Sequence, residues 1–353
     1  MVGKTLPENT ETVLKGMFDM LINAKLKEED VEKERKVIIQ EIWRSYHNEK
    51  YVEYSKKYRE NNMYDMPVYT RMGRAFGWVE TVNNIKAEDL ARAKKQFLVK
   101  DNLKVYIAGN IENLDAVKNI VQTNLDKMIV GEKSASPYIP EKINKPRTNS
   151  FVNEYGQVGL GNSNQATIEY ELLMPKLDMK KDMKKIATLA LTSLILNELV
   201  YEKLRTENNL CYSASVSRNT SVSFTGFYIS SKLNSKYIDK AVALIDGILE
   251  DYKLGTHEKV FNESKKLIID RLVSSERLTA DTIDNVVSDM KVFGLNFGLN
   301  PYIIELENVT YQDTVNFAKD SFNKDRFVVE ILKPNKKSLF GKFASVFSKK
   351  SKE

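Results

Sequence analysis

Ala93-Lys94-Lys95-Gln96-Phe97, followed by Asp101-Asn102-Leu103-Lys104-Val105-Tyr106-Ile107, returns near the other end of the chain as Ala318-Lys319-Asp320-Ser321-Phe322, followed by Lys324-Asp325-Arg326-Phe327-Val328-Val329-Glu330. With Phe97 set on Phe322 the offset is 225 residues. Each copy reads as the end of a helix, a short break and an alternating strand. A second match lies upstream, where the helix pair running through Glu34 and Glu41 reappears over Tyr237 to Ser274. There Glu263 and Asp270 take the matching places, at an offset of 229. Two matches at nearly one offset imply tandem copies of one α+β domain of about 220 residues, each an antiparallel sheet flanked by helices.

The two copies are unequal. The second begins near Phe151 and has 86 residues before its first matched helix, whereas the first has about eight. About 75 to 80 residues of strand and long helix therefore have no counterpart in the first copy. An incomplete sheet exposes an edge and an apolar face. The expectation is that the chain pairs with another polypeptide or carries a shortened first domain. The boundaries follow from the repeat and from a Gly/Ser/Pro-rich interval (Gly131, Ser134, Ser136, Pro137, Pro140, Pro146). They are residues 1–130 for an incomplete first domain, 131–150 for a linker, 151–334 for the second domain and 335–353 for a basic tail.

Apolar periodicity predicts helices over residues 9–24, 28–46, 49–61, 87–97 and 112–127 in the first domain, with one strand at 102–109. In the second it predicts strands at 151–161, 166–173, 211–217, 222–233 and 326–332. Its helices fall at 182–205, 235–252, 257–275, 279–293 and 311–321.

Composition narrows the class. Of 353 residues, 42% are hydrophobic and 29% charged, the usage of a folded globular chain. No run of about 18 apolar residues suits a membrane span, and the polar start, Met1 to Glu11, has no apolar core of a secretion signal. The single cysteine, Cys211, excludes an internal disulfide and reads as a buried thiol in a reducing, cytoplasmic setting. A net charge of +6, spread over Lys-rich helices, lacks the concentrated basic face of a nucleic-acid binder.

Glu34 and Glu41 are the first residues with a chemical pattern. Seven positions apart on one predicted helix, they lie within about 20° of one stripe. Taken alone, the pair reads most simply as a solvated charged face. In a wider frame it becomes recognisable. Glu34-Arg35, Val37-Ile38 and Gln40-Glu41-Ile42 are followed by Gly73, Gly77, Glu80-Thr81-Val82, Ile85, Glu88-Asp89-Leu90, then Asn102-Leu103, Val105 and Ala108-Gly109-Asn110. The second half adds Leu204-Arg205-Thr206-Glu207-Asn208-Asn209-Leu210-Cys211-Tyr212. In order and spacing these resemble the M16, pitrilysin-like zinc metallopeptidases across almost the whole chain.

That resemblance implies a tandem M16-type fold and a set of roles. Glu41 matches the family's third zinc ligand and Glu34 a carboxylate that orients the ligands. Arg205 and Tyr212 match the pair that binds and polarises the substrate carbonyl. The chain departs from the family at one point: His-x-x-Glu-His, which supplies two ligands and the general base, does not occur. Its place would fall in the segment without a counterpart. The two histidines do not replace it, since His47 lies six residues past Glu41 on another helix face and His257 starts a helix in the other domain. Zinc is therefore expected only if histidines come from a partner or from a missing segment.

Three functions remain open on sequence. The chain is the non-catalytic, Arg/Tyr-bearing subunit of a zinc-dependent processing protease, working on peptides with a His-x-x-Glu-His-bearing M16-like partner. It is otherwise a catalytically dead peptide-binding or assembly module, with self-association as one form of pairing, or a truncated form of an active zinc metalloendopeptidase. The tail places Phe340, Phe343 and Phe347 on one stripe among lysines, a pattern that suits an anionic membrane surface or a partner helix.

Overall fold

The computed structural model describes residues 1–46, 77–132, 150–155, 164–178, 180–221, 224–275 and 300–334. Several expectations lie outside these residues: His47, the helix at 49–61, Gly73, most of the 131–150 linker, the helix at 279–293 and the tail with Phe340, Phe343 and Phe347. The described residues gather into two compact units, one drawn from residues 1–45 and 77–132 and the other from 150–274 and 300–334.

The second unit is built on a five-stranded sheet. Its strands are β1 (Ser150–Tyr155), β2 (Gln165–Pro175), β3 (Cys211–Thr220), β4 (Phe224–Asn234) and β5 (Val328–Pro334), in the order β1-β5-β2-β4-β3. All pairings are antiparallel except β1 with β5, which is parallel. Period-two alternation decides which face is buried. Along β2, Ala166, Ile168, Tyr170, Leu172 and Met174 turn into the core, while Glu169 is exposed between them. On β4, Phe227, Ile229 and Leu233 continue the same apolar face.

The helix joining β2 to β3, Met183–Tyr201, is apolar all round, so it carries no solvent stripe. Leu189, Leu191, Ile195, Leu196 and Val200 are each fully buried. Ile238–Tyr252 and Glu258–Ser275 come after β4, and Asn300–Asn308 and Tyr311–Ser321 lead into β5. Their apolar residues join one core cluster, where Phe322 sits 4.8 Å from Phe227 ring to ring and Tyr252 donates a hydrogen bond of 2.9 Å to Thr314.

The first unit is helical. In chain order α1 is Thr10–Asn23, α2 Glu28–Tyr46, α3 Val79–Asn84, α4 Ala87–Phe97 and α5 Leu114–Leu125; the helices of the second unit are then α6 (Met183–Tyr201), α7 (Ile238–Tyr252), α8 (Glu258–Ser275), α9 (Asn300–Asn308) and α10 (Tyr311–Ser321). The strand expected at 102–109 is not formed: Lys100–Asn102 is a short 3-10 turn, and the residues beyond it join no ladder among the described residues. A strand needs a hydrogen-bonded neighbour, and this unit offers none among its described residues.

The geometry also moves the register of the repeat by one. Helices α4 and α10 are both eleven residues long, and the residue closing each, Leu98 or Phe322, donates its N–H to the carbonyl four residues back, Lys94 or Ala318. The next turns are Lys100–Asn102 and Lys324–Arg326. The offset is thus 224, and Leu98, not Phe97, is the counterpart of Phe322. Phe97, 49% accessible, and Phe322, 1% accessible, thus match in residue type but not in place.

Candidate functional site

The stretch 202–212, which leads from α6 into the start of β3, concentrates the irregular geometry of the second unit. After Tyr201 the helix widens into a π-helical turn, Glu202–Glu207. Asn209 then takes the left-handed region at φ 47°, the one non-glycine with positive φ among the described residues. The Leu210 N–H closes the turn on Leu204 O at 2.9 Å. β3 begins with a register shift, because Cys211 pairs with Leu233 and Ser213 with Lys232, so that Tyr212 is the bulged residue. A π-turn, a strained αL residue and a bulge each cost free energy, and such features gather where side chains must be aimed.

The side chains aimed here are Arg205 and Tyr212, and both are exposed. Tyr212 is 71% accessible, unusual for an aromatic in a strand. Arg205 is steered by its own turn: Nη1 donates to Asn209 Oδ1 at 2.9 Å and to Cys211 O at 3.2 Å. Asn209 therefore provides both the backbone reversal and the anchor for the guanidinium. This role was not read from the sequence, although Asn is the residue type, after glycine, that tolerates αL. Beneath the turn, Cys211 is buried. Burial pushes its thiol above the usual range, while the Ser231 hydroxyl and the Arg205 charge pull the other way. A thiol held neutral is a poor nucleophile, and Cys211 packs beneath the turn as a buried side chain.

Farther along the strand, Asn197 of α6 accepts the Val216 N–H at 2.9 Å. This ties helix and strand together on both sides of the turn. The site can present a cationic planar donor and a phenol to an extended peptide carbonyl. The carboxylate of Glu207 in the same turn is paired with Lys203 at 2.6 Å.

Glu34 and Glu41 lie in the first unit, on α2. Glu34 is exposed and Glu41 half-buried. The residue that organises this helix is the one between them. Arg35, with its side chain only 10% accessible, pairs with Glu32 at 2.8 Å and donates from its two terminal nitrogens to Val82 O and Ile85 O. Those carbonyls end α3, so Arg35 locks α2 onto the following helix. Glu28 adds a second tie by accepting the Ala87 N–H at 3.0 Å.

Among the described residues Glu34 and Glu41 find no further donors to complete a zinc site. Among the described residues no group of three or more His, Cys, Asp or Glu could hold a metal ion. Two carboxylates without a nitrogen or sulfur donor do not fit zinc. His257 is engaged elsewhere: its backbone N–H bonds the Tyr311 hydroxyl at 2.8 Å, its ring lies parallel to Tyr252, and Nε2 stands 3.7 Å from Asp251. No described helix is long and apolar enough to cross a membrane.

Comparison with known proteins bears on the chain as a whole. The family model described as the peptidase M16 inactive domain matches residues 84–268, over half of the chain. A search of curated proteins finds no match. Among solved structures, the chain is similar to a peptidase M16 inactive domain from Pseudomonas fluorescens, at 15% identity and a TM-score of 0.75, covering 93% of this chain and 76% of that one. It is also similar to a protease from Helicobacter pylori, at 18% identity and a TM-score of 0.75 over 94% and 78%. A chain of complex III from Candida albicans matches at 13% identity and a TM-score of 0.65 over 93% and 78%. At such identities the likeness speaks for the fold alone.

Proposed function

The chain belongs to the M16 peptidase family and matches that family's inactive-domain model, and from this premise we propose that it is the non-catalytic subunit of a two-chain, zinc-dependent processing protease. The observation that carries this reading is the turn at 202–212, where three backbone irregularities expose Arg205 and Tyr212 together in a family whose chemistry is peptide hydrolysis. The partner would be an M16-like chain bearing His-x-x-Glu-His, which holds the zinc and the general base. This chain's contribution is to bind. Arg205, steadied by Asn209, and the Tyr212 hydroxyl donate hydrogen bonds to the carbonyl next to the scissile bond, where negative charge develops. Glu34 and Glu41 keep the positions of the family's carboxylates on α2 and carry no metal alone. The presence of a similarly folded chain in complex III supports a fold that works inside assemblies.

The test is co-expression with an M16 chain that carries the histidine motif, followed by assay of a fluorogenic peptide library with each chain alone and with the pair. Cleavage is expected only from the pair. Arg205→Ala and Tyr212→Phe should each lower kcat/KM by about 100-fold or more, as removal of an oxyanion donor does, without changing assembly or the denaturation midpoint. Stoichiometric zinc and cleavage by this chain alone would overturn the reading. Peptide binding that depends on Arg205 and Tyr212, without cleavage by any pair, would favour a peptide-binding module instead.

A further inference from the structure

The fold uses only part of the Arg205 guanidinium. Nη1 carries two hydrogens and meets two acceptors, Asn209 Oδ1 at 2.9 Å and Cys211 O at 3.2 Å, so that nitrogen is satisfied. Nε and Nη2 make no hydrogen bond among the described residues, and Arg205 belongs to no ion pair there. Arg35 is the opposite case. Its Nε donates to Glu32 at 3.0 Å, its two terminal nitrogens donate to Val82 O and Ile85 O, and the side chain is only 10% accessible. Arg35 is fully engaged in packing, whereas the exposed Arg205 is held at one nitrogen and left open along one edge.

That edge has a definite chemistry. A guanidinium is planar, and two bonds from Nη1 fix how its plane is turned. The N–H of Nε and one N–H of Nη2 then run parallel, at the spacing of the two oxygens of a carboxylate. A peptide carbonyl has a single oxygen and cannot align with both. The second N–H of Nη2 stays available to the scissile carbonyl, together with the Tyr212 hydroxyl.

The turn keeps its own carboxylates away from this fork. Glu207 is paired with Lys203 at 2.6 Å, and Glu202 forms no ion pair with Arg205 among the described residues. The anchor itself is neutral. Asparagine and aspartate both tolerate the left-handed backbone at φ 47°, and both can accept from Nη1. An aspartate would also neutralise the guanidinium, whereas the Asn209 amide orients the cation and leaves its charge for a ligand.

We infer that Arg205 is a specificity residue for a carboxylate of the bound peptide, supplied by its C-terminus or by an acidic side chain, and that Asn209 is the positioning residue that aims the fork. This rests on the reading above in one respect, that the turn receives a peptide. The favoured peptides place a negative charge next to the carbonyl held at the turn.

Fluorescence anisotropy on the full chain tests the inference with dye-labelled peptides of one short, otherwise uncharged sequence. One form ends in an amide, one ends in a free carboxylate, and a set of amide forms carries a single glutamate moved along the sequence. At about 50 mM salt, one or both carboxylate sources should bind at least about fivefold more tightly than the neutral form, and the arm that does so identifies the source. Arg205→Lys keeps the charge but loses the parallel pair, and should reduce this preference to less than about twofold. Asn209→Asp should do the same without lowering the denaturation midpoint. Equal binding of all forms, no binding by any form, or a preference that survives Arg205→Lys would each overturn the inference. The two-chain enzyme separates it from the functional reading. Cleavage that falls with Arg205→Ala but ignores peptide charge refutes the carboxylate and keeps the subunit role; an Arg205-dependent carboxylate preference without cleavage by any pair keeps the carboxylate and refutes that role.

Discussion

Arg35 and Asn209 hold the two candidate sites in shape, and neither is a site residue by family position. Arg35 brings a largely buried cation onto two carbonyls at the end of α3. Replacing it by methionine keeps the aliphatic stem but leaves both carbonyls without their donor, which should cost about 2 kcal/mol in the first unit, read by chemical denaturation. At Asn209 the backbone and the side chain can be separated. Alanine at φ 47° should cost about 1–2 kcal/mol, whereas glycine relieves the backbone and removes only the Arg205 anchor, costing less than about 0.5 kcal/mol. If the two variants proved equally destabilising, the strain assigned to the turn would be wrong. Cys211 gives a pH signature. Its thiol is raised by burial in the folded chain, so above the unfolded value of about 8.5 the unfolded state has released a proton that the folded state still holds. Stability then falls as pH rises, by at most about 1.4 kcal/mol per pH unit for this one group. Cys211→Ala should make the alkaline limb between pH 8 and 10 shallower.

At the scale of elements, the sequence made α6, α7, α8 and α10 and the strands β2 to β5 legible, because their periodicities are long, whereas α3 and α9, six and nine residues long, were not read as helices. Helix α4 occupies the 87–97 interval that periodicity predicts. Three further features escaped. The stretch 103–108 alternates as a strand does, yet pairing is a property of neighbours and not of the stretch itself. The π-turn at 202–207 continues an apolar helical pattern and gives no local sign of widening. The bulge at Tyr212 depends on the register with β4, which one strand cannot reveal. Arg205 and Tyr212 were legible as a family pattern, but their exposure and the Asn209 anchor were not. The repeat also yields a contrast between copies. Thr310 completes a capping box with Asp313, its hydroxyl accepting the Asp313 N–H at 3.1 Å, while the matching residue in the first copy is Lys86, which has no acceptor to offer. Lys86→Thr should therefore stabilise α4 by about 1 kcal/mol, seen as a higher denaturation midpoint for the first unit. A second contrast measures the covering sheet directly. Phe322→Ala removes a buried ring and should cost about 3–5 kcal/mol. Leu98→Ala at the equivalent position of the first copy, 37% accessible, should cost less than about 1 kcal/mol.

For the molecule as a whole, these differences mean that stability is divided unequally between the units. The second unit buries one contiguous apolar cluster from β2 to Phe327. In the first, exposed large residues such as Met20, Phe97, Leu98, Val105 and Ile129 outnumber what its short helices can cover among the described residues. Small cores with uncovered apolar surface are marginal, and a chain of two unequal units does not unfold as one two-state system. The sequence provides its own probes of this. Its two tryptophans, Trp43 and Trp78, both belong to the first unit, whereas far-ultraviolet circular dichroism reports the helices of both. In urea, tryptophan fluorescence should change first and circular dichroism should show two steps, the earlier one coinciding with the fluorescence change. Coincident transitions in the chain alone would mean that the first unit is already covered, and that the uneven repeat has no energetic consequence.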